Sequence, residues 1–259
     1  GQSLRVRARR GVVLAAGGFE RNKAMREQYQ PHPITADWSA AHLDNKGAGI
    51  RMGLEAGGSV ALMDDAWWTP TTRVPREDLT WVIVVEKSLP HSIIVNSNGK
   101  RFTNEAAPYL DVVQGMYRDQ GQSGGAIPAW LVFDANFRKK YPVGPLAPGY
   151  AVPDSRLSRR FREDFLVKAA TLSELAAQTG IDDAGLSQTV ARFNAMVEQG
   201  EDTDFHRGES LSDRYYGDPS VGANPCLGAI ERGPFYAIKL LPGDLGTKGG
   251  LVTDSGGRV

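Results

Sequence analysis

The sequence has one cysteine, no excess of either charge and no long hydrophobic run, and each absence argues against a class of protein. Cys226 is alone among 259 residues, so the chain cannot form an internal disulfide, as is typical of a reducing compartment. Thirty lysine and arginine residues balance thirty aspartate and glutamate residues, which leaves no basic field for nucleic acid or an anionic membrane surface. The apolar runs, such as residues 81–85, are far shorter than the ~18 residues of a membrane span. We therefore expect no nucleic-acid or membrane partner and a cytoplasmic location.

Motifs for metal binding and for serine hydrolases are also missing. No group of His, Cys and carboxylate residues has metal-ligand spacing, and there is no Gly-x-Ser-x-Gly elbow, so no metal site is predicted. The chain does not begin with Met; instead Leu4, Val6 and Ala8 alternate with arginines, as in a half-exposed strand already under way. Residues 251–259 are typical of a strand, a glycine turn and the start of a returning strand. Both ends predict an internal fragment of a larger protein.

The most informative stretch that is present is an apolar run ending in small residues, from Gly11 to Gly18. A strand buried on both faces of a parallel sheet has such a continuous apolar run. Ligands bind outside the carboxyl ends of such strands, and glycine lets a ligand approach the backbone closely. We predict two strands over residues 4–18, the second bordering a cofactor at Ala15, Ala16, Gly17 and Gly18. The local pattern is also that of a buried strand followed by a plain loop.

A second glycine-containing segment, Gly47-Ala-Gly49, precedes a predicted helix. Its spacing to Gly53 is one residue too long for the dinucleotide fingerprint, and no strand precedes it. The unpaired N–H groups at a helix N-terminus can still receive a phosphate or a ring carbonyl. Both this role for Gly47 and Gly49 and simple helix entry are compatible with the pattern.

Capping residues and hydrophobic periodicity predict the remaining elements. A capping box at Thr171 begins a helix that stops at Gly180. Apolar residues at helical spacing from Leu186 to Val197 give another helix one buried face, and this helix stops at Gly200. Further helices are predicted over residues 22–30, 50–56 and 111–120, and strands over residues 59–63, 81–86, 92–96 and 130–133. The two ends share a glycine-rich, strand-like composition that the middle lacks, which predicts one domain interrupted by another over residues 68–235.

Six segments together resemble the succinate dehydrogenase/fumarate reductase flavoprotein superfamily, and within it the 3-ketosteroid dehydrogenase-like branch. They are residues 11–18, 47–52, 93–105, 204–208, 233–237 and 241–251. The resemblance implies an α/β protein with a partial Rossmann-like FAD-binding domain (residues 1–67 and 236–259) and an inserted α+β cap domain (residues 68–235) that holds the substrate. It implies that the turn gripping the FAD pyrophosphate precedes residue 1 and that a flavin-lining segment follows residue 259. It adds Thr247, Gly249 and Gly250 to the cofactor-binding residues.

The resemblance also separates two chemistries. Fumarate reductases place a His before the Thr of a Thr-x-Gly-Gly segment, and they clamp carboxylates with arginines. Here Gly246 precedes Thr247, and Ala-Ala-Pro-Tyr109 stands where those enzymes carry a functional Arg. Since a carboxylate site needs bidentate arginine contacts, fumarate and succinate are disfavoured. The predicted substrate is a small apolar, steroid-like ketone, with a quinone-type or artificial electron acceptor.

Tyr109 and Glu105 are the predicted catalytic residues. In the ketosteroid dehydrogenases a proton leaves the carbon next to the ketone while a hydride goes to flavin N5, and the resemblance places one active tyrosine early in the cap. Tyr109 is the best-aligned candidate and Tyr117 the second; a tyrosinate can be a base if neighbours lower its pKa from ~10. Tyr109 can also be a buried phenol satisfied by a neighbour. Glu105 belongs to an Asn-Glu pair that lies near the substrate in the superfamily, although Arg101, four residues before it, can simply pair with it.

Three functions remain open. The first is an FAD-dependent 3-ketosteroid dehydrogenase, and the second is a fumarate reductase-like or enone-reducing flavoenzyme. The third is a non-catalytic, cap-like binding module, because this chain taken alone lacks the pyrophosphate turn and is expected to be inactive. Among other residues, Trp67 and Trp68 either line an apolar channel or pack between domains, and His91 and His206 have structural interpretations. The resemblance places Lys248 towards the flavin, and a structural role for it is equally open.

Overall fold

The computed structural model describes residues 6–259, which form a mixed α/β structure around one antiparallel sheet. The helices are α1 (Lys23–Tyr29), α2 (Ala48–Glu55), α3 (Tyr109–Ser123), α4 (Ala135–Lys140), α5 (Arg159–Asp164), α6 (Leu172–Thr179), α7 (Asp183–Gln199) and α8 (Leu211–Tyr215). The strands are β1 (Val60–Ala61), β2 (Ala66–Arg73), β3 (Thr80–Val82), β4 (Ser92–Val95), β5 (Ala129–Phe133), β6 (Val167–Ala169), β7 (Phe235–Thr247) and β8 (Gly250–Leu251). Short 3₁₀ turns lie at Ala36–Trp38, Glu86–Ser88 and Asp154–Arg156.

The central strand of the main sheet is β7. The strand order is β3-β2-β7-β5-β4, and β6 pairs with β7 as well. The first half of β7 pairs with β5 and β6, with Ile238 opposite Leu131 and Ala237 opposite Val167. Its second half pairs with β2, with Gly243 opposite Thr69. Strands β1 and β8 form a separate two-stranded ladder. All of these named pairs are antiparallel, so the parallel pairing typical of a Rossmann-like domain is not found among the named strands of residues 6–259.

Both faces of the main sheet are covered, because its strands alternate their side chains between two cores. Ile94 packs in a core with α3, whereas its neighbours Ile93 and Val95 pack in a core with α6 and α7. In β5, Leu131 packs in the core with α3, and Val132 packs in the core with α6 and α7. A third, smaller core joins α1, α2 and the segments beside them through Phe19, Met25, Ile50 and Met63.

The predicted strands over residues 4–18 are wrong for the described part, residues 6–18, where no strand forms. Val12 and Val13 are 71% and 91% exposed instead of buried. A strand becomes a buried element only when neighbouring strands satisfy its N–H and C=O groups, and no backbone hydrogen bond joins residues 6–17 to another described residue. The first of the two predicted strands falls partly on residues 1–5, which lie outside the described residues.

Predictions based on local capping are confirmed. The Thr171 hydroxyl accepts a hydrogen bond from the Glu174 N–H, and α6 ends at Gly180 with a left-handed backbone. Helix α7 ends in the same way at Gly200. The helices predicted near residues 22, 50 and 111 exist as α1, α2 and α3. The predicted strands over 59–63 and 81–86 are shorter, as β1 and β3. In the described part of the chain, no helix has both the length and the apolar character that crossing a membrane requires.

Candidate functional site

An open cleft of about 1040 Å³ lies between the segment at residues 12–17, helix α2 and the chain from Gly249 onward. Most of its lining residues are apolar or small, with Leu14 on one side, Met52 on a second and Leu251 on a third, and Thr253 and Arg258 add polar groups. The volume is that of a site for a cofactor-sized molecule. Six of the nine predicted cofactor-binding residues line this cleft: Ala15, Ala16, Gly17, Gly49, Gly249 and Gly250.

The other three, Gly18, Gly47 and Thr247, lie behind the wall. The Gly47 N–H donates to the Gly18 carbonyl oxygen at 2.9 Å, and the Thr247 hydroxyl accepts from the Phe19 N–H at 3.1 Å. A Cβ added to Gly18 would collide with the Thr247 hydroxyl and the Glu20 carboxylate, so no larger residue fits there. These residues support the cleft wall, and they do not contact the cleft itself.

Glu20 joins the three segments that form this wall. Its side chain is almost fully buried. One carboxylate oxygen accepts from the Asn45 amide at 2.6 Å, and the other accepts from the Thr247 hydroxyl at 3.0 Å. The backbone of Glu20 is held too, since its carbonyl oxygen accepts from Arg26 at 3.0 Å. Glu20 is not among the predicted site residues, although only Phe19 separates it from the predicted segment.

A second constellation lies in the main body, where Glu105 is buried among cations. Arg101 donates to the two oxygens of Glu105 from Nε at 2.8 Å and from Nη2 at 2.7 Å. Arg207 donates at 3.2 Å, and the Ile94 N–H donates at 3.1 Å. Burial raises the pKa of the Glu105 carboxyl, but Arg101 and Arg207 outweigh burial and hold this pKa below its ordinary value. The simple pairing of Arg101 with Glu105 is confirmed.

Arg101 also connects this constellation to Asp202. Its Nη2 lies 2.6 Å from Asp202 Oδ2, and its Nη1 lies 3.1 Å from Oδ1. Burial opposes ionisation of Asp202, yet Arg101 lowers the pKa of this carboxyl. Glu105 has no exposed surface, so the geometry gives it a supporting position within the turn formed by residues 104–107.

Lys87 and Asn104 hold that turn, residues 104–107. Lys87 Nζ donates to the carbonyl oxygens of Glu105 and Ala107 at 3.0 and 2.5 Å. The Asn104 side chain accepts from the N–H groups of Ala106 and Ala107 and donates to Asp213. Burial, followed by the charge of Arg207, lowers the pKa of Lys87 to about 8. No local sequence signal marks Lys87, because its partners lie 18 and 20 residues away.

Tyr109 stands at the first position of α3, directly after this turn and Pro108. It is half-buried, and no residue in the described range 6–259 hydrogen-bonds to its hydroxyl. Tyr117 differs, because its hydroxyl donates to the Pro33 carbonyl at 3.3 Å and burial raises its pKa above the ordinary value. A raised pKa disfavours the tyrosinate form, so the geometry favours Tyr109 over Tyr117 as a base.

The remaining predicted residues have structural contacts. Trp68 is buried and packs edge-on against Tyr117, while the exposed Trp67 lies under the ammonium of Lys248. His91 bonds to the Ala229 carbonyl, and His206 pairs with Glu209 at the surface. Within residues 6–259 there is no His, Cys and carboxylate group that could hold a metal.

Comparisons with known proteins agree with the resemblance. The family model described as an FAD binding domain matches residues 1–259. The chain is 48% identical to the 3-oxosteroid 1-dehydrogenase of Mycolicibacterium smegmatis, over 98% of this chain and 44% of that protein. It is 36% identical to the 4-oxocyclohexanecarboxylate 2-dehydrogenase of Sinomonas cyclohexanicum, again over 98% and 44%.

A solved structure matches closely as well. It is the 3-ketosteroid Δ1-dehydrogenase of Sterolibacterium denitrificans in complex with 1,4-androstadiene-3,17-dione, with a TM-score of 0.94 and 46% identity. The match covers all of this chain and 47% of that one. The chain therefore spans less than half the length of these relatives.

Proposed function

The chain belongs to the FAD binding domain family, and on this premise we propose that the full-length protein is an FAD-dependent dehydrogenase of 3-ketosteroid-like ketones. The relatives named 3-oxosteroid 1-dehydrogenase, at 48% and 49% identity, support this assignment. The observation that carries it is the position of Tyr109 directly after a turn that Lys87 and Asn104 hold, with no hydrogen-bond partner for its hydroxyl within residues 6–259. A functional side chain needs a backbone that its neighbours fix, and this turn provides one for Tyr109.

The cleft would hold part of the FAD molecule, because six of the predicted cofactor-binding residues line it. Its small residues let a planar group approach the backbone, and its exposed apolar wall, Val13 and Leu14, is suited to burial against a ring system. Ala15, Ala16, Gly17, Gly49, Gly249 and Gly250 would contact the cofactor, and Gly18, Gly47 and Thr247 would support them. When bound, FAD supplies the acceptor for a hydride.

The domain assignment is part of the proposal. Residues 1–67 and 236–259 would belong to the FAD-binding domain, and residues 68–235 to a cap that holds the substrate. A separate small core around Phe19 and Ile50 supports a distinct unit on the cleft side. The chain leaves this unit along β2 and returns along β7, and these two strands are paired.

Tyr109 would take the proton from the carbon next to the ketone. An ordinary phenol has a pKa of ~10, so donors to the phenolate oxygen must come with the substrate complex or from the half of the protein beyond this chain. Glu105, predicted as catalytic, would act indirectly, because its carboxylate anchors the turn to the Ile94 N–H and to Arg101. A carboxylate substrate is disfavoured, because Gly246 stands where fumarate reductases have His. A quinone-type acceptor and a cytoplasmic location stay predictions.

The test uses the full-length protein under anaerobic conditions. We expect several 3-ketosteroids to bleach its flavin, and we expect Tyr109→Phe to lower the bleaching rate at least 10²-fold with unchanged FAD content, as loss of a general base does. Tyr117→Phe is the matched control on the same helix and should stay near the wild-type rate. Absence of bleaching with every ketosteroid would overturn the substrate class, and a wild-type rate in Tyr109→Phe would overturn the role of Tyr109.

A further inference from the structure

We propose that Lys87 is a positioning residue for Tyr109, because its ammonium fixes the backbone turn that leads directly to this side chain. This inference rests on the proposed function, in which Tyr109 is the reactive group. Lys87 lies on a 3₁₀ turn, Glu86–Ser88, which precedes β4 and is remote in sequence from α3.

The ammonium of Lys87 is committed to the turn. The residue is 2% exposed. Nζ donates to the carbonyl oxygens of Glu105 and Ala107, and its third contact is the Ser88 hydroxyl at 3.4 Å. Within residues 6–259 no carboxylate forms an ion pair with it. Burying an ammonium without a carboxylate partner is costly, and an apolar side chain of similar length would avoid that cost. The carbonyl contacts are therefore what this residue contributes.

Lys87 binds groups of the turn at residues 104–107 that the other supporting side chains do not bind. The Asn104 amide oxygen binds the N–H groups of Ala106 and Ala107, and the Glu105 carboxylate binds Arg101 and Arg207. These contacts hold the N–H groups and one side chain. Lys87 binds two carbonyl groups of the turn, those of Glu105 and Ala107.

The position of Ala107 determines that of Tyr109. Only Pro108 separates them, and its ring restricts φ to about −65°, so a shift of the Ala107 carbonyl passes to the first residue of α3. A displacement of about 1 Å at a reacting group can lower a rate about 10²-fold. Loss of the two Lys87 contacts is therefore expected to act on the rate of proton removal more than on substrate binding.

The test compares variants of the FAD-loaded full-length protein. Lys87→Met keeps the length of the side chain and removes its donors. Lys100→Met is the matched control, because Lys100 is exposed and, among residues 6–259, its ammonium hydrogen-bonds only to the Gln188 side chain. We measure kcat and KM per bound flavin with a 3-ketosteroid, and the isotope effect on kcat with the substrate deuterated at the carbons that lose hydrogen.

We expect Lys87→Met to lower kcat about 10²-fold, to change KM less than about threefold and to raise the isotope effect, while Lys100→Met matches the wild type. A merely structural loss would lower the amount of loaded enzyme and leave kcat per flavin and the isotope effect unchanged, which would overturn the proposal. If Lys87→Met fails to load FAD, Lys87→Gln, which keeps amide donors, takes its place. We then expect a smaller decrease in kcat, again with little change in KM and with a raised isotope effect.

Tyr109→Phe is measured alongside to keep the two proposals separate. If Tyr109→Phe is impaired and Lys87→Met turns over normally, only the positioning role fails. If Tyr109→Phe turns over at the wild-type rate, the proposed role of Tyr109 fails, and the positioning role fails with it.

Discussion

Arg26 on α1 and Asp244 on β7 form an ion pair with an Nη1–Oδ2 distance of 2.6 Å, and neither side chain has any exposed surface. The other oxygen of Asp244 accepts from the Ser39 hydroxyl at 2.7 Å. The same Arg26 nitrogen donates to the Glu20 carbonyl at 3.0 Å. The pair therefore connects the central strand of the main sheet to the segment that forms the cleft wall.

We expect Asp244→Asn to lower the free energy of unfolding by about 3–5 kcal/mol, because removing one partner of a buried pair leaves an uncompensated charge. Glu163→Gln is the control: it breaks the exposed pair with Arg159, and such surface pairs contribute less than about 1 kcal/mol. Urea unfolding followed by circular dichroism measures both. If both substitutions lowered the free energy of unfolding equally, the buried pair would stabilise the protein no more than a surface pair does, which would contradict this prediction.

Gly18→Ala is expected to weaken FAD binding by the full-length protein at least tenfold, or about 1.4 kcal/mol. The added methyl group would displace Thr247 and Glu20, and with them the wall that carries the predicted cofactor contacts. Gly121→Ala serves as the control, since a Cβ there meets open space on α3. Equilibrium dialysis of FAD against each apoprotein gives the two affinities, and an unchanged affinity in Gly18→Ala would refute the idea that this wall holds the cofactor.

The Glu105 cluster makes stability depend on pH in a defined direction. The pKa values of Glu105 and Asp202 are lower in the folded protein than their ordinary values of ~4. The folded state therefore binds fewer protons, and the stabilisation is present above pH ~4 and is lost as the pH falls through the folded pKa values.

Glu105→Gln removes one of these titrations. We expect this variant to be less stable than the wild type at pH 7 by about 3 kcal/mol and the difference to narrow as the pH falls to 3. The urea midpoints of the wild type and of Glu105→Gln, measured between pH 7 and pH 3, give the stability of each protein as a function of pH. A difference that stays constant over this range would show that the carboxylate charge is not what stabilises the cluster.

Features that are written in a few neighbouring residues could be predicted from the sequence. The helix at Thr171 and the helix ends at Gly180 and Gly200 follow from capping groups within three or four residues. Six of the predicted cofactor residues line one cleft, because they come from short glycine-containing segments that tolerate close approach.

Features that depend on distant partners could not be predicted. The run at Val12 and Val13 looks like a buried strand, but burial requires neighbouring strands that no described residue provides. Arg207 contacts Glu105 across 102 residues of sequence, and it was overlooked beside His206, which lies at the surface. Spacing within one segment carries no information about such distant contacts. For this reason the sequence predicts a catalytic role for Glu105, whereas in the structure its two arginine partners give it a supporting position.

The position of β7 also sets the order in which this chain can fold. Strands β2 and β5 flank β7 in the sheet, yet both are synthesised long before it, and Thr71 meets Leu241 only across 170 residues. Until residues 235–247 leave the ribosome, β2 and β5 each present an unpaired edge, which is the template for aggregation. A chain released before residue 235 would expose both edges permanently. Production of this protein should therefore depend on chaperones during synthesis more than after it.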